Sequence, residues 1–213
     1  MRVVILGPQG CGKGTQGKLL ARELGVTYLS TGDLFRRIAG EDSELGKVVA
    51  ACLDDGRMVA DKHVLEVLIR AVSAPEAEIG FVLDGYPRRA NQVAELDEVI
   101  SPHRLDRAIF LDASLEVARE RAMSRQVCSN GDCGMTYGLV KPPPASGECD
   151  RCGAAVASRS DDTVVALDKR HQHYLEQTRP AIELYRERGL LLEIDGDAEP
   201  AVVQRAILDG LRR

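Results

Sequence analysis

The sequence contains no tryptophan, and aromatic residues make up only 4% of its 213 positions. Aliphatic side chains must therefore fill most of the core. It also lacks an apolar run of the roughly 20 residues that a membrane-spanning helix requires. The first ten residues, MRVVILGPQG, lead into glycines rather than a cleavage site, which favours a strand over a signal peptide. We therefore expect a cytoplasmic protein with no membrane partner.

An excess of positive charge is also missing. The formal net charge is −5, which gives no support for a nucleic-acid partner. Among the basic residues, however, 22 arginines outnumber 6 lysines. The planar fork of arginine suits phosphate binding, but a genome-wide composition bias would produce the same excess. Only the position of each arginine therefore argues for function.

Short aliphatic runs alternate with helical patterns along the chain. Helical periodicity predicts one helix after a Ser43 cap and another from Asp61; a late helix has Asp162 as a candidate cap and Pro180 as a predicted kink or restart. The alternation predicts an α/β fold, a five-stranded parallel sheet with helices on both faces. The predicted strands are VVIL from residue 3, TYLS from 27, FVLD from 81, AIFLD from 108 and LLLEID from 190.

Two segments interrupt this alternation. Residues 30–59 hold two helical patterns with no strand between them, and residues 126–160 are rich in glycine, proline and cysteine. Ligands of open α/β sheets bind at the carboxyl ends of the strands. We expect both segments to be inserts at that edge of the sheet.

The stretch GPQGCGKGT follows the first predicted strand and opens a predicted helix. Its glycines let the backbone approach a polyphosphate, and Lys13 would reach the β- and γ-phosphates. A tight turn between strand and helix is the alternative interpretation. The hydroxyl that usually follows the lysine is displaced to Thr15, with Gly14 in its place. We therefore expect Mg²⁺ to be held mainly by phosphates and waters, with Asp84 behind the waters, and Cys11 to be a small spacer.

Two arginine-bearing motifs follow the second and third predicted strands: STGDLFRR from residue 30 and DGYPRRANQ from residue 84. Arg36 and Arg88 could converge on one phosphate from two loops, each with a bidentate grip. A surface helix face and a simple turn are the alternative interpretations of these motifs. The neighbouring phosphate loop favours phosphate binding.

Four of the six cysteines form two close pairs in the second insert. Cys128 and Cys133 are separated by four residues, Cys149 and Cys152 by two, and fifteen residues lie between the pairs. This spacing is typical of a tetrahedral zinc site, which four thiolates would close to water and so make structural. Two disulfides and four unrelated thiols are the alternatives; disulfides fit poorly with a cytoplasmic enzyme. Zinc would supply the fold that this insert cannot obtain from a core.

The motifs GPQGCGKGTQ, STGDLFR, DGRMV, DGYPRRANQ and RSDD together resemble the adenylate kinase family, the ATP:AMP phosphotransferases, along the whole chain. The resemblance implies a P-loop NTPase fold with a core of residues 1–29, 60–123 and 163–213. It implies an AMP-binding insert of residues 30–59 and a lid of residues 124–162, which carries a metal in some members. It further implies a monomer that binds ATP, AMP and ADP, with Mg²⁺ accompanying ATP.

The resemblance also implies a role for each matching residue. The residues expected at ATP are Gly10, Cys11, Gly12, Lys13, Gly14, Thr15, Arg121, Arg125, Thr136, Tyr137 and Ala198. Those expected at AMP are Thr31, Arg36, Arg57, Met58, Val59, Gly85, Tyr86, Pro87, Arg88, Gln92, Arg159 and Arg170. The groups expected to act on the transferred phosphoryl group are Lys13, Asp84, Arg88, Arg125, Arg159 and Arg170.

Other functions stay open on the sequence alone. A kinase for UMP, CMP or GMP would share the motifs, although such enzymes tend to have short lids. GTP could replace ATP as donor, because contacts to the donor base are largely to backbone. A zinc-ribbon nucleic-acid-binding module on an NTPase would need a basic, aromatic ribbon. Residues 127–153 offer only Lys141, Arg151 and Tyr137 for that purpose.

Overall fold

The computed structural model describes residues 1–55, 57, 59–131, 133–159 and 161–212. A short 3₁₀ turn at Pro75–Ala77 and a π-helical turn at Tyr174–Thr178 accompany the main elements. In chain order these are β1 (Arg2–Leu6), α1 (Lys13–Leu24), β2 (Thr27–Ser30), α2 (Thr31–Ala39), α3 (Glu44–Asp54), α4 (Asp61–Val72), β3 (Phe81–Asp84), α5 (Ala90–Val99), β4 (Arg107–Asp112), α6 (Leu115–Met123), β5 (Gln126–Cys128), β6 (Thr136–Tyr137), β7 (Val156–Ser158), α7 (Val164–His173), α8 (Arg179–Glu187), β8 (Leu191–Asp195) and α9 (Pro200–Leu211).

The centre of the molecule is a five-stranded parallel sheet in the order β2-β3-β1-β4-β8. The predicted fold class and all five predicted strands are confirmed. After β1 the chain builds β2 and β3 on one side of it and then crosses to β4 on the other side. The carboxyl end of β1 therefore lies at a topological switch point, where open α/β sheets bind their ligands.

The sheet buries aliphatic side chains on both faces, because successive residues of a strand point to opposite sides. Val3 and Ile5 pack with residues of α1 and α9 on one face. Val4 and Leu6 pack with residues of α5 and α8 on the other. Such double burial explains why the strands read as continuous apolar runs.

Most helix boundaries follow their sequence signals. The Ser43 side chain accepts a hydrogen bond from the backbone N–H of Gly46, so the predicted cap is confirmed, and α4 begins at Asp61 as predicted. The prediction that Asp162 caps α7 is wrong. Thr163 is the cap, because Asp162 pairs with Arg125.

Two features were not expected from the sequence. Helix α5 lies between β3 and β4, where no helix is predicted from the sequence. A π-helical turn at Tyr174–Thr178 precedes the restart of the helix at Arg179, with Pro180 in the first turn of α8. The restart at the proline is as predicted, whereas the widened turn before it is new.

Each insert has local structure of its own. Helices α2 and α3 pack around a small cluster centred on Phe35 and Val49. The second insert forms a three-stranded antiparallel sheet in the order β6-β5-β7. Within the described ranges, no helix combines the length and apolarity that crossing a bilayer requires.

Candidate active site and metal centre

One cleft of about 670 Å³ lies at the carboxyl ends of the central strands, between the two inserts. Every nucleotide-site residue expected from the sequence lines it, except Met58, which lies outside the described residues. The loops after β1, β2 and β3 form its floor, and residues 134–141 of the second insert face them. The structure thus brings all the described candidates to one place.

The loop from Gly7 to Lys13 depends on glycines at close approaches. Gly10 has a φ of 91°, and a Cβ there would lie 1.9 Å from the carbonyl oxygen of Ala118. The Lys13 ammonium donates hydrogen bonds to the carbonyl oxygens of Gly7 at 2.8 Å and Pro8 at 2.6 Å. The lysine therefore folds across its own loop. Burial raises the pKa of the Cys11 thiol, which suits a packing residue.

Asp84 ends β3 beside the phosphate loop. Its Oδ2 accepts a hydrogen bond from the Tyr28 hydroxyl at 2.8 Å, and its backbone carbonyl accepts one from Thr31 at 3.3 Å. Sequence reasoning selected Asp84 and Thr31 but missed Tyr28. The available signal was the position of Tyr28 in the neighbouring strand β2, two residues before that strand ends.

The loop after β3 is held by a chain of hydrogen bonds. Gly85 has a φ of 88°, and a Cβ there would lie 2.4 Å from Thr31 Oγ1. Arg88 donates from Nε to the Gly85 carbonyl at 2.9 Å, and its backbone N–H donates to Gln92 Oε1 at 2.8 Å. The Gln92 amide also donates to Asp61 at 2.8 Å. Both ends of the amide thus contact protein groups in this structure.

The π-helical turn supports the same loop from behind. The Thr178 hydroxyl donates to the Arg88 carbonyl at 3.3 Å, and Arg89 donates from Nε to Gln177 at 2.9 Å. Widened helical turns of this kind are frequent at functional sites. Sequence reasoning missed Gln177 and Thr178, for which Pro180 was the only nearby signal.

Arginines from both inserts and α7 meet two adjacent aspartates. Arg125 donates two hydrogen bonds to Asp162, from Nε at 2.8 Å and from Nη2 at 2.5 Å. Arg170 donates to Asp161 at 2.8 Å, and Arg36 lies 3.8 Å from the same carboxylate. The aspartates of the RSDD motif therefore hold the arginines in place without saturating their donors.

Arg159 is the least satisfied member of this cluster. Its Nε is buried and has no hydrogen-bond partner within the described residues. Burial, together with the charges of Arg125 and Arg36, lowers the pKa of Arg159 to about 10. An anion in the cleft would accept a hydrogen bond from this unpaired donor, and it would offset the repulsion between the arginines.

At the opposite end of the cleft, Arg121 spans the loop before α9. Its guanidinium donates to the carbonyl oxygens of Gly196 at 2.6 Å, Asp197 at 3.0 Å and Ala198 at 3.3 Å. The planar group is thereby fixed where an aromatic base could stack on it. Thr136 is exposed on strand β6 of the second insert.

The segment after α3 closes the other end. Arg57 is exposed and pairs with Asp55 at 3.0 Å, whereas Val59 is buried in the small cluster of the first insert. Both line the cleft. Met58, which was predicted together with Arg57 and Val59, lies outside the described residues.

The four paired cysteines converge. All are free thiols, and their sulfur atoms lie within 4.8 Å of one another. The Sγ atoms of Cys128 and Cys152 are 3.4 Å apart, and those of Cys133 and Cys149 are 3.7 Å apart. Zn–S bonds of about 2.3 Å place tetrahedral sulfurs roughly 3.8 Å apart. The four-residue gap in the first pair thus accommodates a closed tetrahedron, and no disulfide joins any of these four cysteines.

Tyr137 connects this cluster to the cleft. Its hydroxyl lies 3.2 Å from Cys149 Sγ and donates to Asp150, which also pairs with Lys141 at 2.8 Å. The Tyr137 hydroxyl beside Cys149 Sγ is the main cause that lowers the pKa of this thiol to about 6. Tyr137 was expected near ATP; the residue does line the cleft, but its hydroxyl contacts the cysteine cluster.

A parallel sheet with a glycine-rich loop and lysine at its switch point, facing a cleft lined by arginines, defines a P-loop phosphotransferase. The chain is also similar to known proteins of one family within this class. Residues 5–190 match the family model described as adenylate kinase. The chain is 37% identical over 211 residues to the adenylate kinase of Desulforamulus reducens, covering 98% of both chains. It is 38% identical to that of Thermosipho melanesiensis and 40% identical to that of Desulforudis audaxviator, with complete coverage of both chains in each case.

The chain therefore belongs to the adenylate kinase family, and it is an enzyme of phosphoryl transfer to AMP. The family implies binding of ATP, AMP and ADP, with Mg²⁺ accompanying ATP. The resemblance inferred from the sequence motifs is confirmed.

Proposed function

We propose that this enzyme transfers the γ-phosphoryl group of ATP to AMP in line, and that the residues lining the cleft have the roles the motifs imply. The observation that carries the proposal is the cationic cluster around one cleft, with the buried, unpaired Nε of Arg159 among its members. These cationic groups are Lys13, Arg36, Arg88, Arg125, Arg159 and Arg170.

The donor site is proposed to run from the phosphate loop to Arg121. Backbone N–H groups of the loop would bind the phosphates, with Lys13 moving from its own carbonyls onto them. The base would lie against Arg121, near Ala198. The remaining proposed donor contacts are Gly10, Cys11, Gly12, Gly14, Thr15, Arg125, Thr136 and Tyr137.

The acceptor site is proposed to lie between α2 and the loop after β3. Arg36 and Arg88 would bind the AMP phosphate, while Thr31 and Gln92 would contact the base by exchanging part of their present hydrogen bonds. The other proposed acceptor contacts are Arg57, Met58, Val59, Gly85, Tyr86, Pro87, Arg159 and Arg170.

The chemistry requires no general base, because the AMP phosphate is already an anionic nucleophile. Positioning and neutralisation of charge on the transferred group then supply the catalysis. Asp84 would hold the waters of the Mg²⁺ that accompanies ATP, and the ion would supply positive charge against the charge that develops on the phosphates. Closure of a lid, residues 124–162, over a core of residues 1–29, 60–123 and 163–213 and an insert of residues 30–59 would exclude water as a competing acceptor.

The cysteine cluster is proposed to bind a structural Zn²⁺ through Cys128, Cys133, Cys149 and Cys152. Four sulfurs at tetrahedral spacing support this proposal. The few partly buried apolar neighbours of the sulfurs, Met135, Ala154 and Val156, also support it, because they form too small a core to hold the insert together. The metal would keep the lid strands in one arrangement. It would contribute to catalysis only through the cleft residues that the lid carries.

A cytoplasmic monomer remains our expectation, with ATP rather than GTP as donor and no nucleic-acid partner. The deciding experiment is ADP formation from ATP with AMP, GMP, CMP and UMP in turn, repeated with GTP as donor. We expect AMP with ATP to exceed every other pair by at least about 100-fold in kcat/KM, because a site that hydrogen-bonds one base leaves polar groups unpaired with another. A rate with UMP or CMP equal to that with AMP would reject AMP as the assigned acceptor. A rate with GTP equal to that with ATP would reject ATP as the assigned donor.

A further inference from the structure

Tyr28 forms a hydrogen bond at the centre of the site, and none of the roles above includes it. It pairs with Val82 of β3, and Asp84 follows two residues later on that strand. Residues two apart on a strand share a face. The Tyr28 ring therefore packs on the face covered by α1, and its hydroxyl reaches Asp84 Oδ2 at 2.8 Å.

Two glycines of α1 make room for this ring. A Cβ at Gly17 would lie 2.6 Å from Tyr28 Cε2. A Cβ at Gly14 would lie 3.5 Å from the Tyr28 hydroxyl and 3.9 Å from Asp84 Oδ2. Gly14 is the position at which the general phosphate-loop pattern has a magnesium-binding serine or threonine. The phenol therefore places a hydroxyl beside the position from which the loop's own hydroxyl is missing.

The surroundings keep the phenol protonated and in place. Burial, and then the charge of Asp84, raise the pKa of Tyr28 above its ordinary value, so the phenol stays protonated and donates its proton to the carboxylate. The Lys18 ammonium lies 5.7 Å from the ring centroid and donates to the Gly134 carbonyl at 2.8 Å. Asp84 Oδ1 forms no hydrogen bond with any described residue, which leaves that oxygen for water.

We propose that Tyr28 is a positioning residue for the magnesium site: its hydroxyl fixes one carboxylate oxygen of Asp84, so that the other remains oriented to accept from water bound to Mg²⁺. The inference rests on the proposed role of Asp84. Groups that orient a metal's ligands and waters commonly contribute 10- to 100-fold to metal affinity or activity. Tyr28 would thus compensate for the displaced hydroxyl of the loop without touching the metal or the substrate.

The test compares metal affinity in Tyr28→Phe, Asp84→Asn, the double variant and Tyr185→Phe. Tyr185 is a matched control, because it is a fully buried tyrosine whose hydroxyl has no partner within the described residues. Mn²⁺ binding to each ATP-saturated protein is measured by electron paramagnetic resonance. We expect Tyr28→Phe to weaken it about tenfold. Tyr185→Phe should match the wild type, and the double variant should bind no more weakly than Asp84→Asn.

Three different outcomes would each overturn either the inference about Tyr28 or the role of Asp84 on which it rests. Wild-type Mn²⁺ affinity in Tyr28→Phe would overturn the role of Tyr28. Wild-type affinity in Asp84→Asn would overturn the role of Asp84 itself. Additive losses in the double variant would show that Tyr28 does not act through Asp84.

A second variant, Gly17→Ala, tests the same role in case Tyr28→Phe fails to fold. Gly17→Ala keeps the Tyr28 hydroxyl but pushes the ring aside, because its Cβ would overlap Cε2. We expect about a tenfold loss of Mn²⁺ affinity here too, with kcat lowered and the KM for AMP unchanged in both variants. ATP binding in EDTA should be unchanged. A loss of ATP affinity that persists in EDTA would instead assign Tyr28 a role in shaping the loop and overturn the positioning role.

Discussion

Asp161 and Arg170 form the central ion pair of the arginine cluster, with Arg170 Nη2 2.8 Å from Asp161 Oδ2. Both side chains are largely buried, at 6% and 14% exposed. Arg36 shares the carboxylate at 3.8 Å. Asp161 thus neutralises part of a cationic cluster that would otherwise repel itself when no nucleotide is bound.

This pair predicts a pH-dependent contribution to stability. Burial alone would raise the pKa of Asp161, but Arg170 and then Arg36 lower it below its ordinary value of 3.8. A carboxylate with a depressed pKa stabilises the fold above its ordinary pKa, and this contribution is lost as pH falls through the folded-state value. Asp161→Asn should therefore cost about 2 kcal/mol at pH 7, and the cost should shrink below pH 3.8.

Urea unfolding of the wild type and Asp161→Asn at several pH values measures this difference. Asp209→Asn is a suitable control, because Asp209 is exposed and pairs only loosely with Arg212 at 3.6 Å. A cost for Asp161→Asn that stays constant from pH 7 to below 3.8 would show that the charge of Asp161 is not what stabilises the fold.

Removal of Arg88 should abolish most of the catalysis. Its guanidinium donates to the Gly85 carbonyl, and Thr178 holds its backbone carbonyl, so the side chain is fixed at the acceptor end of the cleft. Arg88→Ala should lower kcat by about 10³-fold, because fixed cations that stabilise the transferred group contribute on that scale. Steady-state kinetics measures it, with exposed Arg104→Ala as control. Near-normal kcat in Arg88→Ala would remove this arginine from the transition state.

Metal removal should unfold the lid before the core. The cysteine cluster has only a few apolar neighbours, so a chelator or Cys149→Ser should lower the melting temperature and abolish activity. Cys52→Ser is the matched control, a buried cysteine in the first insert. Metal analysis should find one ion per chain in the wild type and in Cys52→Ser. Protein that carries no metal yet keeps its melting temperature would contradict a structural metal.

The sequence predicted the sheet because its strands are buried on both faces and read as unbroken aliphatic runs. It predicted the cleft because Lys13, Asp84 and Arg88 lie at or after strand ends, and parallel strands bring those ends together. It missed contacts that depend on packing across the fold. Tyr28 reaches Asp84 only because Gly17 leaves space, and Asp162 is unavailable as a cap because Arg125 binds it.

Replacement of Arg159 should raise the stability of the free protein but lower its activity. Burial and the charges of Arg125 and Arg36 lower its pKa to about 10, so the cation is disfavoured in the nucleotide-free fold. Arg159→Leu should therefore stabilise the free protein by about 1 kcal/mol, because it removes a buried charge with an unpaired donor. The same change should lower kcat by about 10²- to 10³-fold, since no other group would fill that place around the transferred phosphoryl.

Thermal unfolding with and without a saturating pair of nucleotides separates the two effects. Ligands that bind only the folded state raise its stability according to their affinity. Nucleotides should therefore raise the melting temperature of Arg159→Leu less than that of the wild type, although the free variant melts higher. A variant that is less stable than the wild type without nucleotide, yet keeps wild-type kcat, would mean that Arg159 is a structural residue of the lid rather than a preorganised anion ligand.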